Sequence, residues 1–264
     1  MKQNSPFSLH LLGVVSLCAI APAETALAAP PSGCAYVHAS SEEDTPKGLI
    51  YHDLSVSAPN GITSLHVKKL VFTGHASSVQ ATQDLAQAAS LLLVSAMTGQ
   101  HNAACTQWLM EQGRQVVTGL QSGAAYDLTW NSATIEHGAA HVNVASARYQ
   151  MQSAPSTQTS SASLSMQGLS FHNVANQQLL PSAAQAAFSL PTAEIPALVS
   201  AVGGRSTAAP AVHATINNFE ASQGTVRLQG HGQATLTGDV AATSASGHLE
   251  ITNLEELIEK ARTA

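Results

Sequence analysis

Apolar and polar residues alternate along much of the chain, and this alternation predicts β-strands. It runs through 47–59 and 62–74, on either side of Asn60-Gly61, a dipeptide typical of a tight hairpin turn. It returns over 124–172, and again over 210–251. We therefore expect a protein built mainly from antiparallel strands.

The alternation contains one irregularity, which recurs in four stretches. Each stretch alternates, takes one extra residue, and then alternates again: Leu65-x-Val67-x-x-Leu70-x-Phe72, Leu164-x-Met166-x-x-Leu169-x-Phe171, Ala214-x-Ile216-x-x-Phe219-x-Ala221 and Leu249-x-Ile251-x-x-Leu254. A one-residue insertion would turn the following apolar residues to the other face of a sheet, and a β-bulge prevents this. We expect bulged strands and a curved sheet; the alternative is chance repetition in an apolar-rich chain.

The segment from 77 to 121 changes to a period of three and four residues, which predicts two helices. Ser77 is expected to begin the first helix and Gly99 to end it. Asn102 is expected to cap the second helix and Gly123 to end it. The predicted apolar faces are Leu85, Ala88, Ala89, Leu92, Leu93 and Ala96 in the first helix, and Cys105, Trp108, Leu109, Gln112, Val116 and Leu120 in the second. This is an αα-hairpin that packs against the sheet.

Other segments complete the predicted architecture. Segment 30–46 is rich in turn-forming residues and is expected to be irregular, while 181–204 is expected to hold two short helical pieces. Asn253 begins a short C-terminal helix in which Glu256 pairs with Lys260. The predicted fold class is α+β: a curved antiparallel β-sheet, a meander with bulges, that carries the αα-hairpin at about 77–121 and the terminal helix.

The N-terminus has the pattern of a secretory signal peptide. Lys2 precedes an apolar run of about ten residues at 11–20, which is shorter than the ~20 residues that span a bilayer. Ala26 and Ala28 supply the small-residue pattern of a cleavage site after Ala28. We expect a signal peptide at 1–28 and a single β-rich exported domain at 29–264, located in the periplasm. An uncleaved membrane anchor is the alternative.

Charge and aromatic content exclude some classes of function. Charged residues make up 10% of the chain, the net charge is −6, and aromatic residues account for 4%. Nucleic-acid binding needs a basic surface or a platform of aromatic rings, so we expect no nucleic-acid partner. No later apolar run is long enough to span a bilayer, so we expect no transmembrane segment in the mature chain.

Two cysteines, Cys34 and Cys105, remain after the expected cleavage. In an oxidising compartment they are expected to form a disulfide. The alternative is a pair of buried thiols.

The chain carries few signs of catalytic or metal chemistry. Its best metal candidate is Glu136 with His137 and His141, but four residues along a strand separate the two histidines by roughly 13 Å. A turn at Gly138 would bring the two histidines closer, and the sequence then offers no evident third ligand. The nucleophile, metalloprotease and nucleotide-binding motifs are absent from the sequence. We expect no enzyme activity and no cofactor, with a hydrolase of dispersed catalytic residues as an alternative.

The C-terminal part of the chain carries two linked motifs, G-x-G-x-x-x-L and G-x-L-x-(I/V)-x-N, before the short helix. Their residues are Gly230, Gly232, Leu236, Gly247, Leu249, Ile251 and Asn253. This ending, about 50 residues long, resembles that of an alphaproteobacterial exported family of unknown function. The strands are also similar in style to those of larger AsmA-like envelope proteins, which are associated with lipid handling. The motifs are architectural, so the resemblance implies no catalytic residue.

These observations lead to one expected function and one expected site. We expect a non-catalytic exported envelope protein that binds or handles lipid or another hydrophobic ligand. A structural or assembly factor that binds another exported protein is the alternative. The expected ligand-binding residues flank the irregular positions of two strands: Leu65, Val67, Leu70, Phe72, Leu164, Met166, Leu169 and Phe171. The alternative is that these side chains are ordinary core beneath the helical hairpin.

Overall fold

The computed structural model describes residues 30–74, 76–154, 158–204, 210–237 and 240–262. The strands are β1 (Tyr36–His38), β2 (Ser41–Thr45), β3 (Gly48–Ser57), β4 (Thr63–Thr73), β5 (Ala125–His137), β6 (Ala140–Ala154), β7 (Thr159–Gln167), β8 (Ser170–His172), β9 (Ala183–Pro191), β10 (Val212–Gln223), β11 (Val226–Leu236) and β12 (Ser244–Thr252). The helices are α1 (Val79–Thr98), α2 (Thr106–Gln121), α3 (Ile195–Gly203) and α4 (Leu254–Arg262). The expected signal peptide at 1–28 lies outside the described residues.

All of these strands belong to one curved, unclosed antiparallel sheet. Its order is β1-β3-β4-β5-β6-β7-β9-β10-β11-β12, with β2 beside β3 and β8 beside β6. Most neighbours in the sheet are also neighbours in sequence, as in a meander. The predicted α+β class is confirmed, including the inserted helical hairpin and the short C-terminal helix.

Five residues that have no partner in the strand pairing lie side by side across the sheet, at the level where the apolar alternation skips. We call them the unpaired row. The row consists of Asp53, Lys68, Ser132, Ala145 and Gly168, one from each successive strand from β3 to the β7–β8 junction. Pairing keeps the same register on both sides of the row. Alternate members have left-handed backbone, with φ of 47° at Asp53, 52° at Ser132 and 63° at Gly168. The extra residue is therefore shared by all five strands.

This row explains the recurring skip and corrects its predicted mechanism. In β4 the four apolar residues Leu65, Val67, Leu70 and Phe72 are all 2% exposed or less, so the skip does keep them on one face. No bulge is needed in β4 to keep these residues on one face. The neighbouring strands β3 and β5 carry the same extra residue, so the pairing register does not shift. A true register shift occurs in β10, between Ile216 and Phe219.

The caps of the hairpin helices follow the prediction with one correction. The hydroxyl of Ser78, one residue after the predicted Ser77, accepts a hydrogen bond from the amide of Ala81 and begins α1. Gly99 ends α1 in left-handed conformation, as predicted. Asn102 caps the short 3₁₀ turn that leads into α2, also as predicted. Cap chemistry therefore places both ends of α1 to within a residue, whereas α2 begins at Thr106, after the 3₁₀ turn that Asn102 caps.

The predicted disulfide is confirmed. Cys34 and Cys105 are bonded, with their Cα atoms 4.7 Å apart and a sequence separation of 71. The side-chain amide of Asn102 donates to the carbonyl oxygens of Gly33 and Cys34, at 2.7 and 2.8 Å. The segment before β1 is thus tied to the start of α2 by a covalent bond and two hydrogen bonds.

Two local predictions were wrong. Segment 30–46 contains strands β1 and β2, and 181–204 begins with strand β9 before α3. In each case pairing with a neighbouring strand decides the conformation, because β-propensity depends strongly on the tertiary surroundings. β9, for example, pairs with β7 on one side and β10 on the other.

Helix α4 forms with its predicted ion pair, Glu256 to Lys260, at 2.8 Å. The side chains of Asn253 and Glu256 both hydrogen-bond to Thr225, next to the β10–β11 turn. None of the described residues of α4 is buried, and Leu254 and Ile258 of its apolar face are exposed. None of the helices in the described ranges is both long and apolar enough to cross a bilayer.

Candidate ligand-binding cavity

An apolar cavity of about 220 Å³ lies between the sheet and helices α1, α2 and α3. The helices contribute Leu85, Ala88, Ala89, Leu92, Leu93, Ala96, Leu109, Gln112, Gly113, Val116, Ile195, Leu198, Val199 and Val202, and the sheet contributes Phe72, Tyr126, Leu128, Trp130, Tyr149, Met151 and Leu164. The cavity opens to the surface on one side. We refer to it below as the helix–sheet cavity.

Helix α1 forms one wall with the residues that its apolar period predicted. All six residues of that predicted face line the cavity, and three of them are alanines: Ala88, Ala89 and Ala96. Residues three and four apart share one face of a helix, so the period alone places them together. The small side chains leave space where leucines would fill it.

The floor of the cavity is held in place by a buried hydrogen bond. The indole Nε1 of Trp130 on β5 donates to the hydroxyl of Ser90 on α1 at 2.9 Å, and Ser90 donates in turn to the carbonyl oxygen of Ala86. A buried indole N–H usually has such a partner. The ring of Trp130 is thereby fixed below α1.

The third wall is tightly packed because two glycines let α2 and α3 approach closely. A Cβ atom at Gly113 would lie 2.7 Å from the Cα atom of Pro196. A Cβ atom at Gly203 would lie 2.5 Å from a methyl carbon of Leu109. Helices α2 and α3 are therefore closely packed against each other beside the cavity.

The lining includes polar atoms but no charged side chain. Burial raises the pKa of the Tyr126 and Tyr149 hydroxyls, so both phenols stay neutral at physiological pH. Tyr149 lies within hydrogen-bonding distance of the Met151 sulfur, at 3.7 Å. Gln112 differs from these residues: it is 5% exposed, and its side-chain oxygen is buried with no hydrogen-bond partner.

Two of the eight predicted ligand-binding residues, Phe72 and Leu164, line the cavity. Leu65, Val67 and Leu70 lie in the buried core around it. The remaining three also belong to or pack against that core: Met166, Leu169 and Phe171. The eight residues therefore lie on the face of the sheet that the helices cover, and the space itself lies nearer to β5 and β6.

The sheet residues that the site prediction missed carried a usable signal. Leu128, Trp130 and Met151 are apolar positions of the alternating pattern in β5 and β6. Helix α3 carried a weaker signal. Its nine residues, IPALVSAVG, are apolar on most sides, and a short run of this kind has no clear period.

The candidate metal residues are separated by the sheet. His137 hydrogen-bonds Thr63 at 2.8 Å, whereas His141 lies opposite Glu136 and stacks on His172 with ring centroids 4.5 Å apart. Successive residues of a strand point to opposite faces, so Glu136 and His137 cannot converge. Within the described residues, no group of three or more His, Cys, Asp or Glu side chains is arranged to hold a metal ion.

Comparison of the chain with protein-family models, with curated protein sequences and with solved structures found no match. The resemblance to an alphaproteobacterial exported family therefore stays a prediction.

Proposed function

We propose that this protein is a non-catalytic, exported envelope protein that binds a hydrophobic ligand in the helix–sheet cavity. The observation that carries the proposal is the cavity itself, which is lined almost entirely by apolar side chains from three helices and four strands. Ligand pockets in proteins are concave and mostly apolar, with a few polar groups that fix orientation. The helix–sheet cavity has this composition.

Packing energetics support a role in binding. Protein interiors are close-packed, and voids larger than a water molecule are few. Apolar space that no side chain fills forgoes packing contacts and does not add to the stability of the fold. Ligand binding is one reason for such a space between the sheet and the helices.

The volume favours one aliphatic chain over a whole diacyl lipid. At about 220 Å³ the space exceeds the roughly 150 Å³ cavity that holds benzene. It is smaller than the ~300–1,000 Å³ of pockets that bury a drug-sized ligand. A chain of medium length fits inside, and the open side lets the rest of a larger molecule remain outside.

The test is binding by protein purified without detergent. We expect extractable lipid to co-purify with the protein, and the fluorescent apolar probe N-phenyl-1-naphthylamine to bind it. Ala89→Leu should reduce both, because the larger side chain occupies the cavity. Ala103→Leu, at an exposed alanine in the turn before α2, is the matched control and should change neither. Protein that binds neither lipid nor probe would contradict the proposal.

A second candidate function has its own observation. Strand β12 lies at the end of the sheet and pairs with β11 alone among the described strands. Leu249 on this strand is 56% exposed, and Leu254 and Ile258 of the adjoining helix are 48% and 46% exposed. Open edge strands pair readily with other chains, so this edge is a candidate surface for another exported protein. Native mass spectrometry of the wild type and Leu249→Lys would detect such a complex and its loss.

A further inference from the structure

We infer that two copies of this protein pair through the open edge strand β12 and form a symmetric dimer, in which Leu249 of one copy lies opposite Leu249 of the other. The inference rests on the open edge described for the second candidate function, and it names the partner as a second copy of the chain. Antiparallel pairing about a two-fold axis joins the two sheets into one. The order of the charged and apolar residues along β12 carries the inference.

The outer side of β12 is open and exposed. Among the described strands β12 pairs with β11 alone, and all of its residues from 244 to 250 are exposed. Helix α4 is tied toward the β10–β11 turn: Asn253 donates to the carbonyl oxygen of Thr225 at 2.8 Å, and Lys260 Nζ donates to Gln223 Oε1 at 3.5 Å. The helix is thus held on the β11 side of β12. An open edge of this kind pairs readily with a strand of another chain.

The charges along β12 select one register for a second copy. The strand carries one acidic residue, Glu250, and one histidine, His248, on either side of Leu249. A two-fold axis at Leu249 places His248 opposite Glu250 of the partner subunit, and symmetry repeats this pair. An axis at Glu250 would instead place two carboxylates opposite each other. Opposite charges across a strand pair stabilise it and like charges destabilise it, and a neutral histidine can also donate a hydrogen bond to the carboxylate.

The other face of β12 fits the same register. Side chains alternate between the two faces of a strand, so Gly247, Leu249 and Ile251 share a face. Leu249 is 56% exposed, and contact with its own copy would remove apolar surface from water. Gly247 comes to lie opposite Ile251 of the partner subunit, and a glycine leaves space for that larger side chain.

The opposite end of the sheet is unsuited to a second copy. Strand β2 pairs with β3 alone among the described strands, and it carries the consecutive acids Glu42, Glu43 and Asp44. A second β2 paired in antiparallel orientation about Glu43 would place acid against acid. Charged side chains on an edge strand are a common protection against such association. Of these two edges, β12 is therefore the one that can accept its own copy.

The first experiment measures the mass of the purified protein by light scattering after size-exclusion chromatography. We expect twice the mass of the chain at micromolar concentration. Glu250→Lys should raise the dissociation constant of the dimer about tenfold or more, because it replaces two attractive pairs by two repulsive ones. His248→Glu/Glu250→Lys should restore the dimer. Glu111→Lys makes the same change of charge on the exposed surface of α2 and should leave the mass unchanged.

A second experiment tests the register by disulfide cross-linking, with copper phenanthroline as the oxidant and a non-reducing gel as the readout. Residues directly opposite each other in an antiparallel pair have Cα atoms about 4.5–5.5 Å apart, which is within reach of a disulfide. Leu249→Cys should therefore form a cross-linked dimer. His248→Cys should not, because its copy is displaced along the strand and lies beyond that reach.

The outcomes separate this inference from the functions proposed above. A monomeric wild type would overturn it, and this measurement needs no variant to fold. A dimer that persists unchanged in Glu250→Lys and is not cross-linked through Leu249→Cys uses another surface, and would also overturn it. A complex with a different exported protein in place of the dimer would overturn it in favour of the second candidate function. Hydrophobic binding stands or fails separately, because none of the residues that line the helix–sheet cavity lies on β12.

Discussion

The indole N–H of Trp130 donates a 2.9 Å hydrogen bond to the hydroxyl of Ser90, which joins the centre of the sheet to the first helix. Both residues are buried, and they are 40 positions apart in sequence. The bond lies beside the helix–sheet cavity, whose floor includes Trp130. It therefore couples the stability of the helical layer to the geometry of the site.

Ser90→Ala should lower the free energy of unfolding by roughly 1–3 kcal/mol, because it leaves the buried indole N–H unpaired. Urea unfolding followed by circular dichroism would measure the loss. Trp130→Phe provides the reference background, since phenylalanine has no N–H to satisfy. Ser90→Ala should cost much less there, and an equal cost in both backgrounds would show that the hydrogen bond is not the cause.

Removing the disulfide should destabilise the protein strongly. The loop between Cys34 and Cys105 spans 71 residues, for which the chain-entropy estimate is about 4 kcal/mol. We expect the double variant Cys34→Ala/Cys105→Ala to unfold at a much lower urea concentration than the oxidised wild type. A reducing agent should shift the wild type in the same direction and leave the double variant unchanged. Identical unfolding curves of the wild type with and without reductant would contradict this prediction.

Gly168→Ala should be more costly than Gly138→Ala. Both glycines have positive φ, 63° and 59°, so each alanine meets the ~1–2 kcal/mol cost of left-handed backbone. Only at Gly168 would the new Cβ atom also crowd a neighbour, the Cβ of Ala145 at 2.6 Å; at Gly138 it would meet open space. We expect an additional ~1–3 kcal/mol at Gly168.

A compensating change tests the steric part of this difference. Ala145→Gly removes the crowded Cβ atom, so the pair Gly168→Ala/Ala145→Gly should lose less stability than the two single changes added together. Thermal unfolding of the four proteins gives the comparison. If the stability losses of the two single changes simply add in the pair, contact between residues 145 and 168 does not contribute to the cost of Gly168→Ala.

The ion pair of Asp127 and Arg148 should stabilise the protein at neutral pH and not in acid. Hydrogen bonds from Arg148, together with its charge, hold the pKa of Asp127 below its ordinary value. A carboxyl whose pKa is lowered by folding stabilises the folded state above its unfolded pKa, and this stabilisation is lost as the pH falls through the folded pKa. Both side chains are partly exposed, so we expect at most about 1 kcal/mol.

Asp127→Asn should therefore lower the melting temperature slightly at neutral pH, and its effect should fade as the pH is lowered far enough to protonate the wild-type carboxyl. Glu111→Gln is the control, because Glu111 and Arg114 form a pair on the exposed surface of α2 with side chains 55% exposed. Its effect should be close to zero at neutral and at low pH. An Asp127→Asn effect that persisted unchanged in acid would rule out the ion pair as its source.

Local patterns in the sequence were enough to predict much of the fold and one wall of the site. The period of α1 placed Leu85, Ala88 and Leu92 on one face, and all three line the cavity. The end of α1 followed from Gly99, and the start of the 3₁₀ turn before α2 followed from Asn102. These features depend on residues a few positions apart, whose relative placement is set by backbone geometry and capping bonds.

Only the tertiary structure decided where the space lies and how the repeated skip is accommodated. The unpaired row exists because five strands carry their extra residue at one level, which is a property of register between strands and not of any one strand. The cavity likewise depends on how closely α3 approaches α2 at Gly113, and on the space that remains between Trp130 and the helices. Distances between elements arise from packing among residues far apart in the chain, so no local pattern encodes them.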